Sequence, residues 1–176
     1  MKTSIALIGF MGVGKTAVGK ALAEKLGKEF AELDALIEQK AGKSIPEIFQ
    51  HDGEVAFREL EIEVTKEVSG KKKLVIACGG GIVLNKINVD RLRNESVIVY
   101  LTASPKVILN RVSGGGSERP LLKAANQVLN IQELLRFREP FYERAADIRI
   151  NTSNLDVDSV TEQIIMKLKE DEGFNF

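Results

Sequence analysis

The sequence contains few of the residue types that build disulfide frameworks and metal clusters. Cys78 is its only cysteine and His51 its only histidine. One cysteine excludes an internal disulfide framework, and a structural zinc site normally needs several Cys or His ligands. This composition fits a reducing compartment, so we expect a cytoplasmic protein.

The chain also lacks an excess of either charge and a long apolar run. It has 25 Lys and Arg residues against 25 Asp and Glu residues, so no overall field would attract nucleic acid or an anionic membrane. The apolar stretch that starts at Ser4 is interrupted by glycines and Lys15 well before the length of a signal peptide or a transmembrane helix. We expect a soluble monomer that has neither nucleic acid nor membrane as a partner.

Short apolar runs alternate with longer amphipathic stretches along the 176 residues. The runs predict strands at 4–8, 29–33, 73–78, 96–101 and 147–151, and the amphipathic stretches predict helices at 15–26, 34–41, 45–50, 54–69, 86–93, 105–112, 127–145 and 157–170. A capping box at Ser44 and Glu47, with Pro46 between them, supports one helix start. Helical crossovers imply a parallel sheet covered on both faces, hence one three-layer α/β/α domain over residues 1–176.

A glycine-rich motif stands between the first predicted strand and the first predicted helix. Residues 9–16 read GFMGVGKT and match G-x-x-x-x-G-K-[ST], the phosphate loop of nucleotide-binding proteins. Glycines let the backbone wrap around phosphates, Lys15 reaches the terminal phosphates and the Thr16 hydroxyl can bind magnesium. We therefore predict a bound nucleoside triphosphate with Mg²⁺, its phosphates held by Gly12, Val13, Gly14, Lys15, Thr16 and Ala17.

A phosphate loop alone does not separate kinases from GTPases, motors or nucleotide sensors. GTPases usually carry N-K-x-D to read guanine, whereas the nearest stretch here, Asn85 to Asn88, lacks the aspartate. Gly9, Asp34 and Gly79 each follow a predicted strand, and the carboxyl ends of parallel strands meet at one edge of the sheet. A nucleotide loop, a carboxylate and a second glycine loop would therefore converge there, as in a kinase.

Asp34 is the predicted catalytic carboxylate of this edge. It could accept a hydrogen bond from an acceptor hydroxyl and orient that hydroxyl for in-line attack. The alternative is that Asp34 caps the following helix, a common role for Asp at a strand-to-helix turn.

Six ordered elements of the chain together resemble the shikimate kinases, a family of P-loop small-metabolite kinases. Beyond the phosphate loop they are DALIE at 34–38, GKSIPEIF at 42–49, GEVAFRELE at 53–61, GGG at 79–81, RPLL at 119–122 and REPFY at 138–142. The resemblance implies a five-stranded parallel sheet of the nucleoside monophosphate kinase type. It also implies transfer of the γ-phosphoryl group of ATP to the 3-hydroxyl of shikimate, a step of aromatic amino acid biosynthesis.

The resemblance further implies an acceptor site built from helices at approximately 34–62. Arg58 and Arg138 would clamp the shikimate carboxylate, because a guanidinium matches a carboxylate bidentately. Gly79, Gly80 and Gly81 would let backbone amides approach the acceptor. The alternative for Arg58 is a surface ion pair with Glu54 or Glu61 on one helix face, and both can hold if Glu61 steadies Arg58.

Two further arginines lie near the most glycine-rich segment. Residues 113–124 have the composition of a hinged lid, which would bring Arg119 onto the transferring phosphoryl group and exclude water. Arg111 resembles the family residue that stacks on adenine. The alternatives are an incidental arginine in a loop for Arg119 and a helix-end charge for Arg111.

The chain departs from the family at one position of the metal site. Shikimate kinases usually have Asp-x-Asp after the second strand, whereas this chain has Glu32, Leu33 and Asp34. Glutamate keeps the charge, so Glu32 joins Thr16 as a candidate magnesium ligand, the alternative being an exposed strand-end charge. Two other functions stay open from the residues alone: a kinase of another small acceptor such as gluconate or a nucleoside monophosphate, and a nucleotide-sensing module without an acceptor.

Overall fold

The computed structural model describes residues 1–113 and 127–176. The strands are β1 (Ser4–Ile8), β2 (Glu29–Glu32), β3 (Leu74–Ala77), β4 (Ser96–Thr102) and β5 (Ile148–Asn151). The helices are α1 (Lys15–Leu26), α2 (Leu33–Ala41), α3 (Ile45–His51), α4 (Gly53–Ser69), α5 (Lys86–Glu95), α6 (Pro105–Ser113), α7 (Gln127–Ala145) and α8 (Val157–Lys169). A single 3₁₀ turn, Ile82–Leu84, follows β3.

The five strands form one parallel sheet in the order β2-β3-β1-β4-β5. All five residues of β1 are buried, and Ile5 lies opposite Val75 of β3 and Val97 of β4. A strand that is covered on both faces needs apolar side chains throughout, which explains the unbroken runs of β1, β3 and β4. The predicted α/β class and the five-stranded parallel sheet are confirmed.

Local signals place the helix boundaries close to their predicted positions. The hydroxyl of Ser44 accepts a hydrogen bond from the Glu47 amide, and the Glu47 carboxylate accepts one from the Ser44 amide, so the capping box is formed. Helix α1 begins at Lys15 directly after Gly14, whose φ of 101° belongs to the left-handed region that favours glycine. The phosphate loop therefore passes straight into a helix, as the motif requires.

The strand-to-helix turn after β2 is tighter than predicted. Strand β2 ends at Glu32 and α2 begins at Leu33, so Glu32 holds the N-cap position, and no side chain forms a cap hydrogen bond there. Asp34 lies in the first turn of α2 instead of capping it. In that turn a carboxylate also interacts favourably with the helix dipole.

The carboxyl ends of β1, β2 and β3 lead into the phosphate loop, into α2 and into the glycine run at 79–81. These three connections lie at one edge of the sheet. In the two stretches that the structure describes, no helix is long and apolar enough to cross a membrane.

Candidate active site

A cavity of about 660 Å³ opens at the carboxyl edge of β1, β2 and β3. Its lining includes most of the predicted site residues: Gly12, Gly14, Lys15, Thr16, Ala17, Glu32, Asp34, Arg58, Gly79, Gly80, Gly81, Arg111 and Arg138. Val13 is not part of this lining, because its side chain is buried in the core. Arg119 and most of the predicted lid lie outside the described residues.

The phosphate loop wraps around the ammonium group of Lys15. Its Nζ donates hydrogen bonds to the carbonyl oxygens of Gly9 at 2.8 Å and Phe10 at 2.9 Å. Gly12 and Gly14 both have positive φ, 79° and 101°. The Lys15 ammonium therefore binds back to the first two residues of the loop, at the place where a phosphate chain binds in such loops.

Thr16 and Glu32 meet on the wall of the cavity. The Thr16 hydroxyl donates a hydrogen bond of 2.5 Å to Oε1 of Glu32, although the two residues belong to α1 and β2. Magnesium prefers oxygen ligands and usually takes one or two protein ligands together with substrate phosphates and waters. A hydroxyl and a carboxylate side by side beside the phosphate loop fit that ion, while no group of three or more His, Cys, Asp or Glu side chains in the described part of the chain could hold a metal alone.

Gly79 allows the second glycine loop to approach two carboxylates. A methyl group placed on Gly79 would lie 2.9 Å from Oδ1 of Asp34 and 3.3 Å from Oε2 of Glu61. Only glycine fits such a close approach without moving its neighbours. The arrangement brings the backbone that follows β3 against the predicted catalytic carboxylate.

Arg58 lies against the end of the same loop. Its Nη1 donates a hydrogen bond of 3.0 Å to Oε1 of Glu61, and its Nη2 lies 3.4 Å from Oε1 of Glu54. A methyl group on Gly81 would lie 2.5 Å from both Nη atoms of Arg58. Arg58 therefore forms the predicted ion pairs on its helix face and also lines the cavity, while its role as a carboxylate clamp stays a prediction.

Arg138 reaches the cavity from α7, on the other side of the glycine loop. Its side chain is only 4% exposed, and its Nε is buried without a hydrogen-bond partner among the described residues. The guanidinium lies 5.9 Å from the ring centre of Phe10 and close to Gly80. A buried cation with an unused donor is costly unless an anion pairs with it, so the surroundings of Arg138 suit an anionic ligand.

Burial alters the pKa of two groups in the lining of the cavity. It raises the pKa of Glu61, while the positive charge of Arg58 opposes the rise and the negative charge of Asp34 adds to it. Burial also raises the pKa of the Cys78 thiol far above its ordinary value. Cys78 is therefore a small buried side chain at neutral pH and not a nucleophile.

Arg111 lies at the opposite end of the cavity, at the end of α6. Its Nη1 donates to the carbonyl of Gly12 at 3.2 Å and to the hydroxyl of Thr152 at 3.1 Å, and its Nη2 donates to the carbonyl of Thr152 at 3.0 Å. Three hydrogen bonds hold the guanidinium in place beside the phosphate loop. A fixed planar cation at this position suits a flat nucleotide base.

Sequence reasoning missed two features of the site. Tyr142 is fully buried and its hydroxyl donates a hydrogen bond to the carbonyl of Gly80, which fixes the glycine loop. Phe49 and Phe57 pack 4.9 Å apart and form an apolar wall of the cavity. Tyr142 follows Arg138 by four residues on α7, a spacing that places both on one helix face and could have indicated a shared target. The aromatic pair carried no such signal.

Known proteins similar to this chain agree with the geometry. A family model for shikimate kinase matches residues 11–169. A shikimate kinase of Pelotomaculum thermopropionicum is 44% identical over 95% of this chain and 96% of its own length, and one of Thermodesulfovibrio yellowstonii is 47% identical over 92% of each. The solved structure of shikimate kinase from Acinetobacter baumannii in complex with shikimate superposes with a TM-score of 0.93 at 36% identity, covering 98% of this chain and 96% of that one. The chain belongs to the shikimate kinase family.

Proposed function

We propose that this protein is a shikimate kinase, which transfers the γ-phosphoryl group of ATP to the 3-hydroxyl of shikimate and forms shikimate 3-phosphate. One observation carries the proposal: the phosphate-loop lysine, a carboxylate and two arginines line a single cavity. A phosphate chain and a carboxylated alcohol can therefore bind side by side, which phosphoryl transfer requires.

Arg58 and Arg138 form the clamp for the acceptor carboxylate. They approach the glycine loop from α4 and α7, and Glu61 and the close contact with Gly81 limit the positions open to Arg58. Two fixed guanidinium groups bind a carboxylate more strongly than flexible ammonium groups, because fewer rotamers are lost on binding. The clamp thereby sets which hydroxyl of the acceptor faces Asp34.

Asp34 orients that hydroxyl and accepts its hydrogen bond. The carboxylate lies against Gly79 on the same wall as the arginines. As the new oxygen–phosphorus bond forms, the bond between the γ-phosphorus and the β,γ-bridging oxygen of ATP breaks and ADP leaves. The hydroxyl proton passes to Asp34, and this transfer occurs late because the transition state of phosphoryl transfer is loose. Orientation is therefore the larger part of its role.

The backbone of residues 12–17 and the Lys15 ammonium would hold the phosphates, and Thr16 and Glu32 would hold magnesium. When bound, Mg²⁺ neutralises charge that develops on the phosphate oxygens. Lys15 neutralises further charge at the donor end. Arg111 supports the base, and Arg119 supplies a cation to the transferring group from a lid at approximately 113–124; both roles are proposals from the family pattern.

We also propose that residues 1–176 act as one kinase domain, with the acceptor helices at approximately 34–62, and that the protein works as a cytoplasmic monomer without nucleic-acid partners. The balanced charge and the small-molecule cavity support this proposal.

An assay of ADP release in the presence of magnesium tests the proposed activity. The acceptors are shikimate, gluconate, a nucleoside monophosphate and no acceptor. We expect turnover that depends on shikimate, because two arginines suit a compact carboxylate while no amide-rich pocket for a second base lines the described cavity. Release without any acceptor would favour a nucleotide sensor, and dependence on gluconate would favour a different sugar-acid kinase.

A further inference from the structure

Thr152 lies directly after β5 and connects three elements around the nucleotide end of the cavity. It is only 2% exposed. Its hydroxyl lies 2.9 Å from the carbonyl oxygen of Val13 and 3.1 Å from that of Thr102, and its own amide donates to Thr102 at 2.8 Å. Thr152 therefore joins the phosphate loop, through its hydroxyl, to the end of β4, through its amide.

The same hydroxyl also accepts a hydrogen bond from Arg111. Nη1 of Arg111 lies 3.1 Å from this oxygen, and Nη2 binds the Thr152 carbonyl. A hydroxyl has one proton to donate and two lone pairs to accept with, so it can bind the Val13 carbonyl and the Arg111 guanidinium at once. The single side-chain oxygen of Thr152 thus acts both as a donor and as an acceptor.

The Val13 carbonyl has no part in α1, whose first hydrogen bond runs from the Val18 amide to the Gly14 carbonyl. A trans peptide directs its carbonyl and its amide hydrogen to opposite sides. When Thr152 holds the Val13 carbonyl, it also turns the Gly14 amide away from Thr152, and Gly14 lines the cavity. Arg111 acts in the same way on the neighbouring peptide, because it binds the Gly12 carbonyl.

We propose that Thr152 is a positioning residue of the nucleotide site: its hydroxyl orients the phosphate-loop peptides and holds the Arg111 guanidinium beside them. This inference deepens the proposed function and rests on it for the identity of the phosphate donor. Thr152 itself need not touch the nucleotide. Its removal should weaken nucleotide binding and leave the acceptor clamp, which is built from α4 and α7, unaffected.

The test compares four variants in direct binding titrations with MgADP and, separately, with shikimate. Thr152→Val keeps the branched shape and removes the hydroxyl, whereas Thr152→Ser keeps the hydroxyl. Thr152→Cys replaces the hydroxyl with a weaker hydrogen-bonding group and serves if the valine variant does not fold. The matched control is Thr161→Val, because Thr161 is also buried and its hydroxyl donates to the Val157 carbonyl at 2.7 Å within its own helix α8.

We expect Thr152→Val to raise the Kd for MgADP about tenfold, which corresponds to about 1.4 kcal/mol, since a buried carbonyl and an arginine both lose a partner. The Kd for shikimate should stay within about twofold of the wild-type value, and the serine and Thr161→Val variants should bind both ligands like the wild type. An unchanged Kd for MgADP would overturn the inference. A rise of about tenfold in the Kd for shikimate in Thr152→Val would also overturn it, and so would a rise in the Kd for MgADP in Thr152→Ser as large as that in Thr152→Val.

The titrations need no acceptor chemistry, so the two proposals can fail separately. A wild-type protein that binds MgADP but does not phosphorylate shikimate would contradict the proposed function and leave the role of Thr152 open to the same comparison. A wild-type protein that does not bind MgADP would contradict both.

Discussion

The Glu61 carboxylate lies against the Arg58 guanidinium and accepts a hydrogen bond of 3.0 Å from Nη1. Glu61 is 1% exposed, and its second oxygen, Oε2, is buried without a hydrogen-bond partner in the described part of the chain. The contact ties the orientation of Arg58 to a buried carboxylate, whereas Glu54, which also faces Arg58, is exposed.

Glu61→Ala is expected to raise the KM for shikimate between about tenfold and a hundredfold, because Arg58 loses a charge-assisted hydrogen bond that orients it. The KM for ATP should change little. Steady-state kinetics with each substrate varied in turn provides the measurement. Glu54→Ala is the matched control, since its oxygen lies 3.4 Å from Nη2 and its side chain is exposed. Equal effects of the two substitutions would contradict the special position of Glu61.

Glu61→Gln should alter how stability depends on pH. Burial raises the pKa of Glu61 above its ordinary 4.5, so the folded protein holds this proton more tightly than the unfolded chain does. The resulting contribution to stability is complete below pH 4.5 and is lost as the pH rises through the folded-state pKa. Glutamine cannot ionise, so the wild type should lose more free energy of unfolding than the variant over this interval.

Urea denaturation of both proteins from about pH 4 to pH 8 measures this difference. The groups that face Glu61, namely Arg58, Asp34 and Arg138, are common to both proteins. A wild type that gains stability relative to Glu61→Gln as the pH rises would show that the sign is wrong.

Gly81→Ala should disrupt the acceptor clamp without unfolding the protein. The new methyl group would lie 2.5 Å from both Nη atoms of Arg58, and the end of that flexible side chain must move. The φ of Gly81, −99°, is open to alanine, so the free energy of unfolding should change by less than about 1 kcal/mol. We expect the KM for shikimate to rise about tenfold or more.

Gly70→Ala is the control for this substitution. A methyl group placed on Gly70 would lie 4.0 Å from the Lys66 carbonyl oxygen, and the φ of Gly70 is −81°, so alanine fits there without strain. If both alanine variants bind shikimate like the wild type, Arg58 does not hold the acceptor in the position proposed.

Glu32→Gln should raise the Mg²⁺ concentration needed for half-maximal turnover by about tenfold or more, as expected when a metal ligand or its close partner loses its charge. Glu29→Gln, on the same strand β2 but outside the active-site lining, should leave the requirement unchanged. Titration of activity with Mg²⁺ after chelation gives the measurement. If the wild type, Glu32→Gln and Glu29→Gln all need the same Mg²⁺ concentration for half-maximal turnover, Glu32 is not part of the metal site.

Arg119→Ala should lower the turnover number by roughly three orders of magnitude with smaller effects on both KM values, as for other arginines that stabilise a transferring phosphoryl group. Arg149→Ala is the control, because Arg149 pairs with Glu143 at the surface. An unchanged turnover number for Arg119→Ala would remove this residue from the mechanism.

Most of the fold was predictable because its signals are local. The five buried residues of β1 are consecutive in the sequence, and the capping box that starts α3 spans four residues. The phosphate loop is equally local, since eight consecutive residues carry it. The boundary at Leu33 could not be predicted, because the Asp34 side chain suggested a cap and the N-cap position belongs to Glu32.

The remainder of the site depends on contacts between residues far apart in the sequence. Tyr142 binds the Gly80 carbonyl across 62 positions, and Arg111 binds Thr152 across 41. Residue spacing does not identify the partner in either pair, because the contacts form only when α6, α7 and β5 have packed against the rest of the sheet. The family resemblance indicated Arg138 as a site residue. It could not show that Nε of Arg138 is buried without a hydrogen-bond partner among the described residues.

The strand order β2-β3-β1-β4-β5 puts the phosphate-loop strand in the centre of the sheet. In the proposed function, Asp34 and the glycine run that follow β2 and β3 lie on the acceptor side, Thr152 after β5 lies on the nucleotide side, and Arg138 reaches the acceptor side from α7. Most of the proposed acceptor contacts therefore lie on the opposite side of β1 from Thr152. An altered acceptor specificity could be engineered into α2, α3 and α4 while the machinery that grips the triphosphate is left as it stands.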